Sequence, residues 1–304
     1  MTNQFRYSLY ALLSAVIAGI VWVLTEIAIN FFHTPSLIAT MWGALIGSLV
    51  LLAVAMQRGG IDWRSWTPSA WARAIVGGFL IHGAGFLLSF AAAGQIGAGK
   101  ANLLGQLQTF FVVALAILFL NETLSRRRLV AILLALFGAT LINFDPSTLW
   151  VTWGLGETLT IGGRLMIAVG IVLMKPLFDH GNAAGTTGLA MLIGAFFLFG
   201  AFPFSRTMIT IDPGYSVGWA TIMMIGLIGI GRGLSWLCFN TAQRYIGASQ
   251  AIIIFLSYAF FTILFQAIVV WIAPNVGVQL PKNLGIALVG GVLIAAGIII
   301  LQTD

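Results

Sequence analysis

Long apolar segments separated by short turns dominate this sequence of 304 residues. A helix needs about 20 mostly apolar residues to cross a bilayer. The apolar runs lack the strict alternation that transmembrane β-strands show, so the sequence predicts an all-α, polytopic membrane protein of ten transmembrane helices. The predicted crossings are residues 7–28, 36–57, 71–92, 100–120, 127–144, 158–176, 184–204, 216–240, 247–272 and 283–301.

The low charge content supports this prediction. Only 7% of the residues are charged, whereas an average soluble domain has about 25%. The net charge of +6 comes from basic residues that lie singly or in short groups between apolar segments. That pattern is typical of cytoplasmic loops, so we expect a lipid bilayer, and no nucleic acid, as the macromolecular surroundings.

The distribution of Lys and Arg also predicts the orientation. With the N-terminus inside, only Lys100, Arg206 and Lys282 fall on the outer side. We therefore predict a multi-pass protein of the inner (plasma) membrane with both termini in the cytoplasm. The basic residues on the inner side are then Arg6, Arg58, Arg64, Arg73, Arg126, Arg127, Arg128, Lys175 and Arg244.

The sequence partly matches itself at a shift of about 150 residues. Residues 96–101 (Ile-Gly-Ala-Gly-Lys-Ala) lie over residues 246–251 (Ile-Gly-Ala-Ser-Gln-Ala), and a Phe-Phe pair recurs further on. We predict two five-helix repeats, residues 1–147 and 148–304. Because five is odd, the second repeat enters the membrane with opposite polarity, and inverted repeats of this kind place a substrate site near the midplane.

The region from the fourth to the fifth helix carries a recognisable pattern. Residues 121–125 (Asn-Glu-Thr-Leu-Ser) resemble the Gly-Glu-x-Leu-Ser element of the drug/metabolite transporter (DMT) superfamily, and Gly138 lies in the second half of the next helix. Residues 284–297 repeat that helix, and Trp22 stands where the family often has a tryptophan. The chain is therefore similar to the ten-helix EamA-type branch. Gln108 and Tyr258 stand where that branch often has prolines.

This resemblance implies a secondary transporter that moves a small organic solute by alternating access. Charged and titratable residues within the predicted helices are the first candidates for its binding site, because such groups are costly in a membrane. Arg232 lies between two glycines in the eighth helix, and His82 matches it in the third helix at the 150-residue shift. The alternatives are an ion pair of Arg232 with Glu26 and a hydrogen bond from His82 to a backbone carbonyl.

Glu26 is the one acid well inside a predicted helix, and it shares a helix face with Trp22. It could couple transport to protons or anchor a cation; alternatively, it reaches the outer interface. Arg164 is expected at the outer end of the sixth helix with Glu157 as its partner. Lys175 and Asp179 are expected to pair at the inner end.

Polar and aromatic residues of the fourth, eighth and ninth helices complete the predicted site. They could line a wet cavity or form hydrogen bonds between helices, and the sequence leaves both open. With the residues above, the predicted substrate-binding set is Arg232, His82, Glu26, Trp22, Trp236, Gln108, Tyr258, Gln106 and Asn240.

Three functions fit these patterns. Export of amino acids or related metabolites is favoured, because Arg232 and Glu26 could hold a carboxylate and an amine. A multidrug or cationic-compound exporter is the alternative, supported by Glu26 and the aromatic residues. A non-transporting membrane scaffold is the third.

No motif predicts catalysis or ATP hydrolysis. The sequence has no glycine-rich phosphate loop, no cluster with metal-ligand spacing and a single cysteine, Cys238. We expect no catalytic residue, no cofactor and no metal. The expected partner is a small-molecule solute, with proton coupling through Glu26 as one option, and the chain is expected to act as a monomer or homodimer.

Overall fold

The computed structural model describes residues 3–60, 63–96, 98–142, 154–180, 182–203, 217–281 and 283–302, and these residues form helices, turns and coil. The helices are α1 (Asn3–Asn30), α2 (Ser36–Gln57), α3 (Pro68–Gly78), α4 (Gly85–Ile96), α5 (Ala98–Gly105), α6 (Leu107–Leu120), α7 (Arg126–Ile142), α8 (Leu155–His180), α9 (Ala183–Ala201), α10 (Trp219–Ile246), α11 (Ala248–Phe255), α12 (Tyr258–Ile272) and α13 (Leu284–Gln302). A π-helical segment, Phe79–Ala84, joins α3 to α4.

The predicted all-α membrane fold is confirmed. In the described part of the chain, nine helical stretches are long and apolar enough to cross a bilayer. The tenth predicted crossing is α7, which has 17 described residues. Residues 143–144, 204 and 216 of the predicted crossings lie outside the described ranges.

Two of the crossings are interrupted at matching places. Between α5 and α6, the Gln106 amide donates to the Leu103 carbonyl and the Thr109 amide donates to the Gln106 carbonyl. Between α11 and α12, 150 residues later, the Leu256 amide donates to the Ile253 carbonyl and the Ala259 amide donates to the Leu256 carbonyl. These bonds span three residues and tighten one turn of each helix. Discontinuous helices of this kind surround the substrate in many secondary transporters.

The helix pairings have an approximate two-fold symmetry that exchanges crossings five apart. The first crossing (α1) packs on the eighth (α10), and the sixth (α8) packs on the third (α3–α4). The second packs on the seventh (α2 on α9), and the fifth packs on the tenth (α7 on α13). Five crossings per half give the two halves opposite directions through a bilayer. The predicted boundary at 147/148 lies outside the described residues and stays a prediction.

Glycines bring α2 and α10 into backbone contact. A Cβ at Gly47 would lie 2.6 Å from the Gly229 carbonyl oxygen, and a Cβ at Gly229 would lie 3.0 Å from the Gly43 carbonyl oxygen. Gly233 meets Gly47 in the same way, at 3.0 Å from its carbonyl oxygen. Such small residues, spaced four apart on both helices, allow close packing in a membrane. The contact fixes the height at which α10 presents Arg232.

Glu122, which follows α6, caps the N-terminus of α11. Its carboxylate accepts hydrogen bonds from the backbone amides of Ala248 (2.7 Å) and Ser249 (3.1 Å), which begin α11. A negative charge at a helix N-terminus is stabilising. Gly247, with φ of +84°, makes the turn that exposes these amides. The largest buried apolar cluster, which includes Phe239 and residues 251–254, packs toward this end.

Candidate functional site

A central cavity of about 140 Å³ lies between seven of the crossings. A single water needs about 10–15 Å³ by the same measure, so the space suits a small organic molecule. Polar side chains line part of the wall: Thr25, Thr40, Gln106, Gln108, Thr109, Arg164, Arg232 and Ser235. Aromatic side chains line another part: Trp22, Phe86, Trp236, Phe255 and Tyr258.

Arg232 is only 8% exposed and lines the cavity from α10. Its Nη1 donates to the Thr40 carbonyl oxygen at 3.3 Å, and its Cζ lies 4.0 Å from the centre of the Phe86 ring. Its Nε and Nη2 are buried and have no hydrogen-bond partner. These two nitrogens form the side-on edge of a guanidinium, which matches the two oxygens of a carboxylate.

Arg164 enters the same cavity from α8, contrary to the predicted interfacial position. Its Nη1 donates to the Gln108 side-chain oxygen at 3.3 Å, while its buried Nε has no partner. The predicted partner, Glu157, instead forms an ion pair with Lys100. The prediction of an Arg164–Glu157 pair is therefore wrong, because a residue 57 positions away in the chain takes the carboxylate.

The described acids all bind groups away from Arg232. Glu26 accepts from the Gln266 side chain at 2.8 Å and from the Gln279 amide at 3.0 Å. Glu122 caps α11, and the expected Lys175–Asp179 pair forms at 3.0 Å. Since Glu157 pairs with Lys100, the described part of the cavity wall contains two guanidinium groups and no carboxylate.

Glu26 and Arg232 do not form the ion pair that was one alternative. Glu26 lies near the end of α1 and is held by residues near and beyond the end of α12. It is not among the residues that line the central cavity. A role in coupling or in cation binding at this position stays a prediction.

His82 lies behind the cavity wall in the π-helical segment. Its ring is 4.9 Å from that of Trp236 in an edge-to-face arrangement, and Trp236 itself lines the cavity. The side chain is 1% exposed, and its Nδ1 has no hydrogen-bond partner. His82 thus supports the Trp236 ring and does not itself line the cavity.

Asn240 lies one turn beyond Trp236 and takes part in a buried hydrogen-bond chain. Its amide donates to Thr187 Oγ1 at 2.7 Å, and its Oδ1 accepts from the Gln243 side chain at 2.8 Å. Thr187 belongs to α9, so the chain links α10 to α9. Asn240 is not among the cavity-lining residues; it bonds to Thr187 of α9 and to Gln243 of its own helix.

The remaining predicted residues lie on the cavity wall. Trp22 and Tyr258 face each other with ring centres 6.4 Å apart and an angle of 20°. Gln106 and Gln108 stand at the break between α5 and α6. Six of the nine predicted residues thus border the cavity: Arg232, Trp22, Trp236, Gln108, Tyr258 and Gln106. Their contact with a substrate stays a prediction.

Sequence reasoning missed Arg164 and Phe86 as cavity residues. Arg164 had a signal, since a charge inside an apolar segment is itself unusual. Phe86 had none that separates it from the other 21 phenylalanines. Its role depends on the contact of its ring with the Arg232 guanidinium, which arises only on folding.

Comparisons with known proteins agree with this architecture. Residues 5–144 match the sequence model of the EamA-like transporter family. No curated protein sequence matches the chain. One solved crystal structure superposes with a TM-score of 0.74 over 97% of this chain and 96% of the other chain, at 15% identity, which shows a shared fold.

The chain is a polytopic membrane protein, and its central cavity is large enough for a small solute. The family matched by residues 5–144 belongs to the DMT superfamily. The predicted resemblance is thereby confirmed. The match indicates a DMT-type membrane transporter.

Proposed function

We propose that this protein is a secondary transporter that carries a small carboxylate-bearing metabolite, with Arg232 as the carboxylate anchor. The observation that carries the proposal is the unpartnered edge of Arg232. Each buried polar group without a partner costs about 1–3 kcal/mol. A carboxylate bound side-on would satisfy Nε and Nη2 together and would also balance the charge.

The same geometry argues against a cationic substrate. A cation in the cavity would meet two guanidinium groups and no described carboxylate. Glu26, which supported the cationic alternative, is bonded to Gln266 and Gln279 outside the cavity. Like charges in a poorly solvated space repel strongly.

Amino acids remain within the proposed substrate class. Their ammonium group could lie against Trp22 or Tyr258, since aromatic faces attract cations by about 0.5–2 kcal/mol. Export of such metabolites, rather than uptake, belongs to the proposal and rests on the resemblance of residues 121–125 to the DMT superfamily. Alternating access would come from rocking of the two inverted halves about the cavity.

A binding measurement on purified protein tests the proposal. We expect monocarboxylates, dicarboxylates or amino acids to raise the thermal unfolding temperature, and lipophilic cations to leave it unchanged. Arg232→Gln should weaken carboxylate binding at least about tenfold, because truncating one partner of a buried charge pair costs about 2–5 kcal/mol. Arg232→Lys should not restore it, since an ammonium lacks the planar fork.

Arg244→Gln is the matched control. Arg244 lies on the same helix, but it donates to the Asp179 carbonyl oxygen at 2.9 Å and does not line the cavity. Carboxylate affinity should be unchanged in this variant. Equal affinity in Arg232→Gln and the unsubstituted protein, or stabilisation by cations alone, would contradict the proposal.

A further inference from the structure

Two guanidinium groups share one small cavity, and a single carboxylate would engage only one of them. Arg232 approaches from α10 and Arg164 from α8. The described partners of both are neutral: the Thr40 carbonyl oxygen for Arg232 and the Gln108 side-chain oxygen for Arg164. Both groups keep at least one buried nitrogen without a partner.

Arg164 is held in place at the interruption between α5 and α6. A Cβ at Gly105 would lie 3.1 Å from both Nε and Nη2 of Arg164. The glycine thus allows the guanidinium to lie directly against the end of α5. Its Nη1 also donates to the Gln108 side-chain oxygen, just past the interruption. A side chain so enclosed is positioned for recognition and not merely extended toward the interface.

The charge balance favours a ligand with two negative charges. Burying an uncompensated charge costs several kcal/mol even after relaxation. The four described acids, Glu26, Glu122, Glu157 and Asp179, bind other groups. A monoanion on Arg232 would therefore leave the positive charge of Arg164 unbalanced in the described part of the site.

We propose that the carried solute has two anionic groups, one bound by Arg232 and the other by Arg164. This inference rests on the proposed carboxylate transport and narrows its substrate class to small dianions. Arg232 would donate to one carboxylate from Nε and Nη2. Arg164 would bind the second anionic group through Nε, while Gln108 keeps its Nη1 oriented.

Three ligands that share a four-carbon chain test the number of charges. They are butanedioate, its monomethyl ester and butanoate, measured by calorimetry on the full-length protein at a pH where both carboxyls of butanedioate are ionised. We expect butanedioate to bind at least about tenfold more tightly than the ester, since only its second carboxylate can form charge-assisted hydrogen bonds with Arg164. Comparable affinity for butanedioate and its ester would overturn the inference, and this comparison needs no variant.

Arg164→Gln separates the two anchors. It should reduce the ratio of the affinities for butanedioate and the ester to about one, mainly by weakening the binding of butanedioate. Arg232→Gln should weaken the binding of all three ligands. Equal loss of all three ligands in Arg164→Gln would overturn the assignment of Arg164. A phosphate ester of a small hydroxy acid should also bind if the second group is any anion; selective binding of dicarboxylates would identify that group as a carboxylate.

The inference and the proposed function fail in different ways. If mono- and dicarboxylates bind equally well and Arg232→Gln abolishes the binding of both classes, the proposed carboxylate transport is supported. The assignment of Arg164 to a second anionic group is then contradicted. If none of the three ligands binds but other carboxylates do, a preference for small dianions is contradicted. If no carboxylate binds at all, the proposed function itself falls.

Discussion

At the scale of the residue, the stacking of Phe86 on Arg232 decides how the site presents its charge. The ring lies 4.0 Å from the guanidinium carbon and the Thr40 carbonyl holds Nη1, so the unpartnered edge has a defined direction. A guanidinium fixed in this way loses little rotamer freedom when a carboxylate binds. The ring therefore positions Arg232 without itself needing to contact a carboxylate.

Replacing this ring should weaken binding without unfolding the protein. We expect Phe86→Leu to reduce carboxylate affinity by about 2- to 30-fold, the equivalent of 0.5–2 kcal/mol of cation–π attraction. Phe196→Leu is the control, since Phe196 is 66% exposed on the outside of the bundle. The affinities are measured by calorimetry, and unchanged binding in Phe86→Leu would show that Arg232 is oriented by other contacts.

Single residues show both the reach and the limit of sequence reasoning. Arg232 was predicted because a charge between glycines in an apolar helix is rare, and this signal is local. The prediction that Arg164 pairs with Glu157 was wrong. Glu157 is near Arg164 in the sequence, but after folding its carboxylate pairs with Lys100. Pairings across helices depend on tertiary packing that no local pattern encodes.

At the scale of the element, the interruptions in the fourth and ninth crossings and the glycine contact between α2 and α10 shape the cavity. The positions of the ten crossings were predictable, because their apolar runs are long. The interruptions were not, since no proline occurs at Gln106 or at Leu256–Ser257. The π-helical segment around His82 was likewise unexpected, although such segments often occur at functional sites.

The contact of α2 with α10 predicts the effect of adding one methyl group. Gly47→Ala should destabilise the protein by about 1–3 kcal/mol and weaken carboxylate binding, because α10 must shift to relieve the clash with the Gly229 carbonyl. Gly226→Ala on α10 is the control, since a Cβ there meets nothing within 4 Å.

Thermal unfolding in detergent, paired with ligand binding, measures both effects. The control variant should be as stable as the unsubstituted protein or slightly more stable, because alanine favours helix by up to about 1 kcal/mol over glycine. Equal stability of the Gly47→Ala and Gly226→Ala variants would show that α2 and α10 have room to separate.

At the scale of the whole molecule, the pseudo-symmetric pairing of crossings explains why a central cavity exists. Each half supplies one interrupted helix, and the interruptions meet the cavity at Gln106 and Leu256. The 150-residue repeat in the sequence predicted this arrangement of halves. It did not predict that both charged groups on the described cavity wall are positive, since that depends on which partners bind Glu26 and Glu157 after folding.

Solute counterflow in proteoliposomes tests the central claim most directly. Vesicles loaded with unlabelled butanedioate should transiently accumulate labelled butanedioate when they contain the unsubstituted protein or the Arg244→Gln variant, and should not do so with Arg232→Gln. Counterflow that persists at the unsubstituted rate in Arg232→Gln would contradict a carrier whose central cavity binds its substrate through Arg232.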